Sequence, residues 1–309
     1  MPLLWKPLLA ATLPPDADLA ALPYPLYASP KIDGFRCVVQ GGVALTRKGL
    51  PLRNKAVQEL LGRPEYEGLD GELVIGKPWA ADVFNRAQNC VNTGTEAAAE
   101  EFRKHGALWV FGWFLRDAEW VNGLRGMQDN LEGLVRKSRS PHVKLVKQTL
   151  IKNAAQLAAF EVKCRERGYE GVMLRRGDAG PYPQKPGKEN RSTLREFDLV
   201  KLKRFEYDTA TIVRAHHLEH NANEEKTAAG KRSTRRAGIV VDATRVGSVT
   251  LRHKKFGDFS VNVQTEELRA KGIEWWDARR GARVRFKYQV AGTKDKPRIP
   301  QCTFAELGA

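Results

Sequence analysis

The stretch Ser29-Pro30-Lys31-Ile32-Asp33-Gly34-Phe35-Arg36 decides how this chain is read. The lysine follows an extended run, YPLYA (24–28), and Asp33-Gly34 turns the chain sharply into a second, FRCVV (35–39). A lysine so placed can be held at the floor of a cleft, with Arg36 adding positive charge beside it. A lysine amine is a nucleophile only when neutral, a state that burial and nearby cations favour. The short pattern alone also describes an ordinary hairpin turn with an exposed lysine, so its weight depends on the rest of the chain.

Other strand-like segments supply partners. GLDGELVI (68–75) places Glu72 on the same strand face as Asp70 and Val74, with Leu73 and Ile75 on the other. A carboxylate on an apolar strand is costly to bury alone. It is either a strand-end acid in an ion pair or a contact to a ribose hydroxyl or a metal. In EGVMLRR (170–176) Glu170 enters another apolar strand and suits a divalent cation. In DLVKLKRF (198–205) alternation puts Lys201 and Lys203 on one face and Val200 and Leu202 on the other. Two cations on one face repel, so an anion such as phosphate fits between them. A solvent-facing edge strand guarded by lysines is the alternative. In ALWVFGWFL (107–115) Trp109, Phe111 and Trp113 share a face, as core or with one ring available to stack on a base.

Between the strands, RNKAVQELLG (53–62) and NAAQLAAFEVKCRERG (153–168) have helical spacing and end at glycines; their apolar faces are core. Residues 178–195 are rich in Pro, Gly and charge and read as a long surface loop. From about residue 206 the texture changes to short strands, TATIVRA, AGIVVDAT, GSVTLRH, FSVNV and ARVRFKYQV, with one helical piece, QTEELRAKG. Five short strands in about 100 residues suggest a small barrel. Within this half, 216–237 is almost free of large apolar side chains and reads as a loop, yet Lys231, Arg232, Arg235 and Arg236 crowd into its end.

The whole chain has 309 residues, enough for two domains. Hydrophobic residues at 42% and charged residues at 28% exclude a mostly disordered or collagen-like chain. No apolar run approaches a membrane span, and the N-terminal MPLLWKPLLAATL, broken by Lys6 and Pro7, is not expected to be a secretory leader. The four cysteines, Cys37, Cys90, Cys164 and Cys302, have no zinc-ligand or disulfide-framework spacing and imply a reducing compartment. The net charge is +16. Residues 205–309 hold 20 basic and 13 acidic side chains, so the excess covers both halves and points to a polyanion partner.

In order, KIDGFR, TR (46–47), LDGEL, WVFGWF, EGVM and LVKLKRF resemble the motifs of the covalent nucleotidyltransferases: ATP-dependent DNA ligases, RNA ligases and capping guanylyltransferases. Lys31, Glu72, Phe111, Glu170 and Lys201 lie 41, 39, 59 and 31 residues apart, room for the strands and helices of one domain. The plan most resembles the small bacteriophage-type ATP-dependent DNA ligases. The resemblance implies an α+β nucleotidyltransferase domain of antiparallel sheets with flanking helices (1–204), followed by an all-β OB-fold domain (205–309). It implies nick sealing in duplex DNA by a cytoplasmic monomer, with no membrane partner.

By the same resemblance, Lys31 attacks the α-phosphate of ATP and carries AMP, which passes to the 5′-phosphate of a nick before the 3′-hydroxyl seals it. Phe111 matches the adenine-stacking ring, Ser29 a base-edge contact and Glu72 the ribose contact. Lys201 and Lys203 match the phosphate-binding pair, and Arg36 and Arg47 contacts to the nucleotide and the nick phosphates. Glu170, with Glu72, matches the acids that hold Mg²⁺, for which Mn²⁺ would substitute. Lys231, Arg232, Arg235 and Arg236 would meet DNA. ATP rather than NAD is the expected cofactor, since 30 residues before the motif leave no room for a further N-terminal domain. Arg298 resembles the segment that precedes the family's last motif, but no clear arginine follows it to orient pyrophosphate. The alternatives are an RNA ligase or one preferring an RNA-containing junction, a capping enzyme, or a non-catalytic OB binding module.

Overall fold

Lys31 ends one strand, Phe35 begins the next, and the two strands belong to different sheets. The computed structural model describes residues 5–114, 123–178, 183–184, 189–224, 232, 235–289 and 295–308. The chain divides into two compact units, Met1–Lys203 and Arg204–Ala309.

The first unit runs β1 (Ala11–Thr12), β2 (Leu26–Lys31), β3 (Phe35–Gln40), β4 (Val43–Thr46), α1 (Lys55–Leu61), β5 (Leu69–Ile75), α2 (Val83–Val91) and α3 (Glu96–His105). It continues with β6 (Gly106–Trp113), α4 (Gly123–Ser138), β7 (Val143–Leu145), β8 (Thr149–Ile151), α5 (Ala154–Glu166), β9 (Gly171–Arg176) and β10 (Val200–Leu202). One sheet has the order β4-β3-β5-β6-β7, the other β1-β10-β9-β2-β8. All pairings are antiparallel except β6 with β7 and β1 with β10. The crossing from one sheet to the other at 32–34 needs its glycine: a Cβ on Gly34 would collide with the Leu73 carbonyl of β5.

Period-two alternation sorts side chains as the sequence suggests. Leu73 and Ile75 of β5 pack with Cys37, Val39, Leu108 and Val110 against Val57, Leu61, Phe102 and Leu131 of the covering helices. In the second sheet Leu26, Ala28, Val172, Leu174, Val200 and Leu202 enter a core with Leu157 and Cys164 of α5. The helices α1, α3 and α5 start at side-chain caps, Asn54, Thr95 and Asn153, each accepting a backbone N–H from the first turn.

Three expectations need correction here. Trp113 does not share a face with Trp109 and Phe111. A register shift sets Asp70 opposite Gly112 but Gly71 opposite Val110, so Phe111 is the extra residue of a bulge and parity flips after it. Trp113 thus packs with the helix-side core, while Trp109 and Phe111 face the other way. Second, 198–205 is not one strand: β10 stops at Leu202, and Phe205 opens a strand of the other unit. Third, part of 178–195 is pinned rather than a free surface loop. Gln184 exchanges hydrogen bonds with the Lys6 backbone, and Asn190 and Ser192 are buried against the segment around Leu9.

The second unit comprises β11 (Phe205–Asn221), β12 (Ile239–His253), β13 (Gly257–Asn262), α6 (Glu266–Ala270), α7 (Gly272–Asp277), β14 (Arg283–Gln289) and β15 (Arg298–Cys302). Its sheet has the order β13-β12-β11-β14-β15. Val249, Leu251, Phe259, Val284 and Phe286 pack around the fully buried Trp276 of α7. The β-rich reading holds, with different elements. AGIVVDAT and GSVTLRH are one strand, and the fifth strand is β15, which contains Arg298. The expected loop at 216–237 begins as strand: 216–221 belong to β11 and pair with β12 as one side of a two-stranded ribbon, as far as Asn221 opposite Ile239. Ladder hydrogen bonds order the ribbon's β11 side, HHLEHN, where apolar side chains are few. Among the described residues no helix is long and apolar enough to cross a membrane.

Candidate active site

A cavity of about 210 Å³ lies in the first unit, lined by residues of both its sheets. Odd-numbered residues of β2, Tyr27, Ser29 and Lys31, face it, with Met173 and Arg175 of β9 and Lys201 of β10. From the other sheet come Arg36, Asp70, Glu72 and Phe111. Lys31 and the carboxylate strands therefore meet because β2 and β3 are consecutive yet belong to different sheets.

One end of the site is a charge cluster. Glu170 precedes β9, and its backbone N–H donates to the Lys31 carbonyl at 3.3 Å. Its Oε2 accepts from the Lys31 ammonium and its Oε1 from Lys203. Gly171, opposite Lys31 in the ladder, must be glycine because a Cβ there would collide with the Leu202 carbonyl. Burial by itself would raise the Glu170 carboxyl, but Lys31 and Lys203 overcome it and hold it down at about 2. Burial lowers both Lys201 and Lys203, and Lys31 lowers them further. Three lysines thus converge where one buried carboxylate already bridges two of them, an arrangement receptive to additional negative charge.

The opposite wall carries the aromatic and the second acid. Asp70, fully buried, accepts from both Nε and Nη2 of Arg36. The same guanidinium lies 4.6 Å over the centre of the Phe111 ring. Arg36 and Glu72 are cross-strand partners. Burial pushes the Glu72 carboxyl up to about 7, against the lowering pull of Arg36 and Lys31.

The structure brings together Ser29, Lys31, Arg36, Arg47, Glu72, Phe111 and Lys201 around one cavity, with Glu170 and Lys203 joined to Lys31. Arg47 stands on the exposed turn after β4 and also borders a second hollow with Lys6 and Lys48. Arg232, Arg235 and Arg236 lie in the other unit beside the ribbon, where Arg232 donates to the Asn221 carbonyl at 2.8 Å. Lys231 lies outside the described residues. Sequence reasoning did not assign Asp70 as the anchor of Arg36, nor Met173, Arg175 and Gln148 as cavity residues. Alternation from Gly171 along β9 marks Met173 and Arg175; Gln148 carries no such signal.

No protein-family model matches the chain. A curated DNA ligase of Thermococcus fumicolans is 28% identical over 180 residues, which is 54% of this chain and 31% of that protein. The chain thus spans about a third of that relative's length. The solved Chlorella virus DNA ligase-adenylate is 26% identical and matches with a TM-score of 0.51 over 97% of both chains. Along its length the chain resembles the small ATP-dependent DNA ligases. A structure of the Lig E DNA ligases, described as binding DNA with a minimal scaffold, has a TM-score of 0.67 over 97% of this chain and 98% of its own. At 18% identity it shows a shared fold. The match to the Chlorella virus structure spans both units.

Proposed function

We propose that this chain is an ATP-dependent DNA ligase that seals 5′-phosphate/3′-hydroxyl nicks through a lysine-AMP intermediate. The observation that carries the proposal is the position of Lys31 among Lys201, Lys203 and Glu170, in a site whose other wall presents Phe111 and Glu72. Residues 1–204 would form the adenylyltransferase domain and 205–309 an OB-fold domain, acting as a monomer in the cytoplasm.

Lys31 Nζ, relieved of its proton, attacks the α-phosphorus of ATP. A P–N bond forms, the bond to the β-phosphate oxygen breaks, and pyrophosphate leaves. The 5′-phosphate of the nick then displaces Lys31, and the 3′-hydroxyl finally displaces AMP. Each step gathers charge on phosphoryl oxygens, which fixed cations stabilise. Lys201 and Lys203 serve that need, while Phe111 stacks the base, Ser29 meets its edge and Glu72 holds the ribose. Arg36, fixed by Asp70, would reach the nucleotide, and Arg47 the nick phosphate.

Among the described residues no three His, Cys, Asp or Glu side chains converge to cage a metal. Mg²⁺ needs no such cage, because one or two carboxylates suffice when phosphates supply the remaining ligands. Glu170 and Glu72 fit that requirement and would hold Mg²⁺ or Mn²⁺, which would supply Lewis-acid neutralisation of the phosphates. The ribbon and its Arg232, Arg235 and Arg236, with Lys231, would close on DNA through phosphate contacts.

The test offers nicked duplexes with DNA or RNA on either side of the nick, with ATP, GTP or NAD as the only nucleotide cofactor. Sealing of the all-DNA nick with ATP is expected. Sealing confined to RNA-containing junctions, or driven by NAD or GTP alone, would overturn the assignment.

A further inference from the structure

We propose that Gln148 selects adenine, its side-chain oxygen accepting a hydrogen bond from the amine at C6 of the nucleobase. The proposal rests on the nucleotide-binding reading above and deepens it to a specificity residue.

Gln148 lines the cavity and precedes β8, whose Thr149 pairs with Ala28 of β2. It therefore borders the site near Ser29 and beside Phe111, where a stacked base would lie. Its Nε2 donates to the Phe111 carbonyl at 3.2 Å. The same carbonyl accepts from Gln128 Nε2, also at 3.2 Å. Turning the Gln148 amide over would press its oxygen against that carbonyl, acceptor against acceptor, so the amide orientation is fixed by the network. With the nitrogen so engaged, Oε1 is buried and meets no hydrogen-bond donor among the described residues.

A buried acceptor without a donor is expensive, and a ligand that brings one is rewarded. Purines differ at this requirement. Adenine carries an amine at C6, a donor; guanine and hypoxanthine carry a carbonyl, an acceptor. An oxygen fixed in the wall thus favours ATP and opposes GTP or ITP. Sites that hydrogen-bond a substrate N–H reject analogues lacking it more strongly than apolar pockets reject a change of size. Gln128 holds the Phe111 carbonyl from the other side but does not line this cavity, so it separates support of the ring from reading of the base.

The test measures kcat/KM for the protein-nucleotide adduct with ATP and with purine riboside triphosphate, which has hydrogen at C6. It uses the full-length wild type, Gln148→Met and Gln128→Met. The wild type should prefer ATP by about tenfold, the value of one modest hydrogen bond. Gln148→Met should bring that ratio close to one by losing ATP activity while keeping that of the analogue. Gln128→Met should keep the ratio. A preserved ratio in Gln148→Met, or equal losses with both nucleotides, would overturn the proposal. A wild type that uses the two nucleotides equally would overturn it without any variant. If no adduct forms with either, the ligase reading fails, and calorimetric Kd values for the same nucleotides still decide the role of Gln148.

Discussion

Replacing Glu170 with glutamine should destabilise the protein in a pH-dependent way. The Glu170 side chain is 2% exposed, and it joins Lys31 to Lys203. In the fold the carboxyl is held at about 2 rather than an ordinary 4.5, burial opposing and the two lysines prevailing. That difference is worth about 3 kcal/mol at pH 7. Because the folded value is depressed, this stability is fully present above about pH 4.5 and is lost as pH falls towards 2. At pH 3 about 1.5 kcal/mol should remain. Glu170→Gln removes the charge but keeps the shape, leaving two lysines without their shared anion. Urea unfolding of wild type and variant at pH 7 and pH 3 gives the cost at each pH. A fall in Tm of about 6–12 °C at pH 7 is the thermal equivalent for a unit of this size. A cost below about 1 kcal/mol at pH 7, or one that does not shrink at pH 3, would refute the view of Glu170 as a buried counter-ion.

Lys201→Ala should slow adduct formation by about 10²-fold, as loss of one positioned phosphate donor does, with little change in Tm; a large fall in Tm with intact sealing would return Lys201 to a structural role. Glu72 is raised to about 7 by burial, so its neutral form favours the fold and that advantage is lost as pH rises from about 4.5 through 7. Glu72→Gln should therefore gain stability relative to wild type over that range in chemical denaturation; a pH-independent difference would contradict the assignment. Deleting 222–236 should weaken nicked-DNA binding and flatten its salt dependence, by roughly 0.9 in log-log slope for each phosphate that the shortened ribbon no longer reaches, while Lys31 still takes up AMP. Unchanged affinity and slope would remove the ribbon from DNA binding.

Much of the first unit was legible because its information is local. Glu72 beside Asp70, Lys201 flanked by Val200 and Leu202, and Gly34 after Asp33 follow from period-two alternation and turn chemistry. Alternation led to an expected anion between Lys201 and Lys203, whereas the anion found joins Lys203 to Lys31. It is the carboxylate of Glu170, brought in by the pairing of Lys31 with Gly171. What was not legible depends on partners across the fold. The bulge at Phe111 exists only relative to β5, so Trp113 could not be assigned a face from spacing. The ribbon side at 216–221 is held by pairing with β12, not by apolar side chains of its own, and so read as a loop. Gln148 acquires its fixed amide only because the Phe111 carbonyl stands beside it.

The account turns on Lys31 as the nucleophile, and one measurement addresses it directly. Incubation with ATP labelled in the α-phosphate and a divalent cation, followed by peptide mapping, should place one AMP on Lys31. Lys31→Ala and Lys31→Arg should show none, because a guanidinium stays protonated near neutral pH. AMP carried on any other residue, or a normal adduct in either variant, would contradict the account.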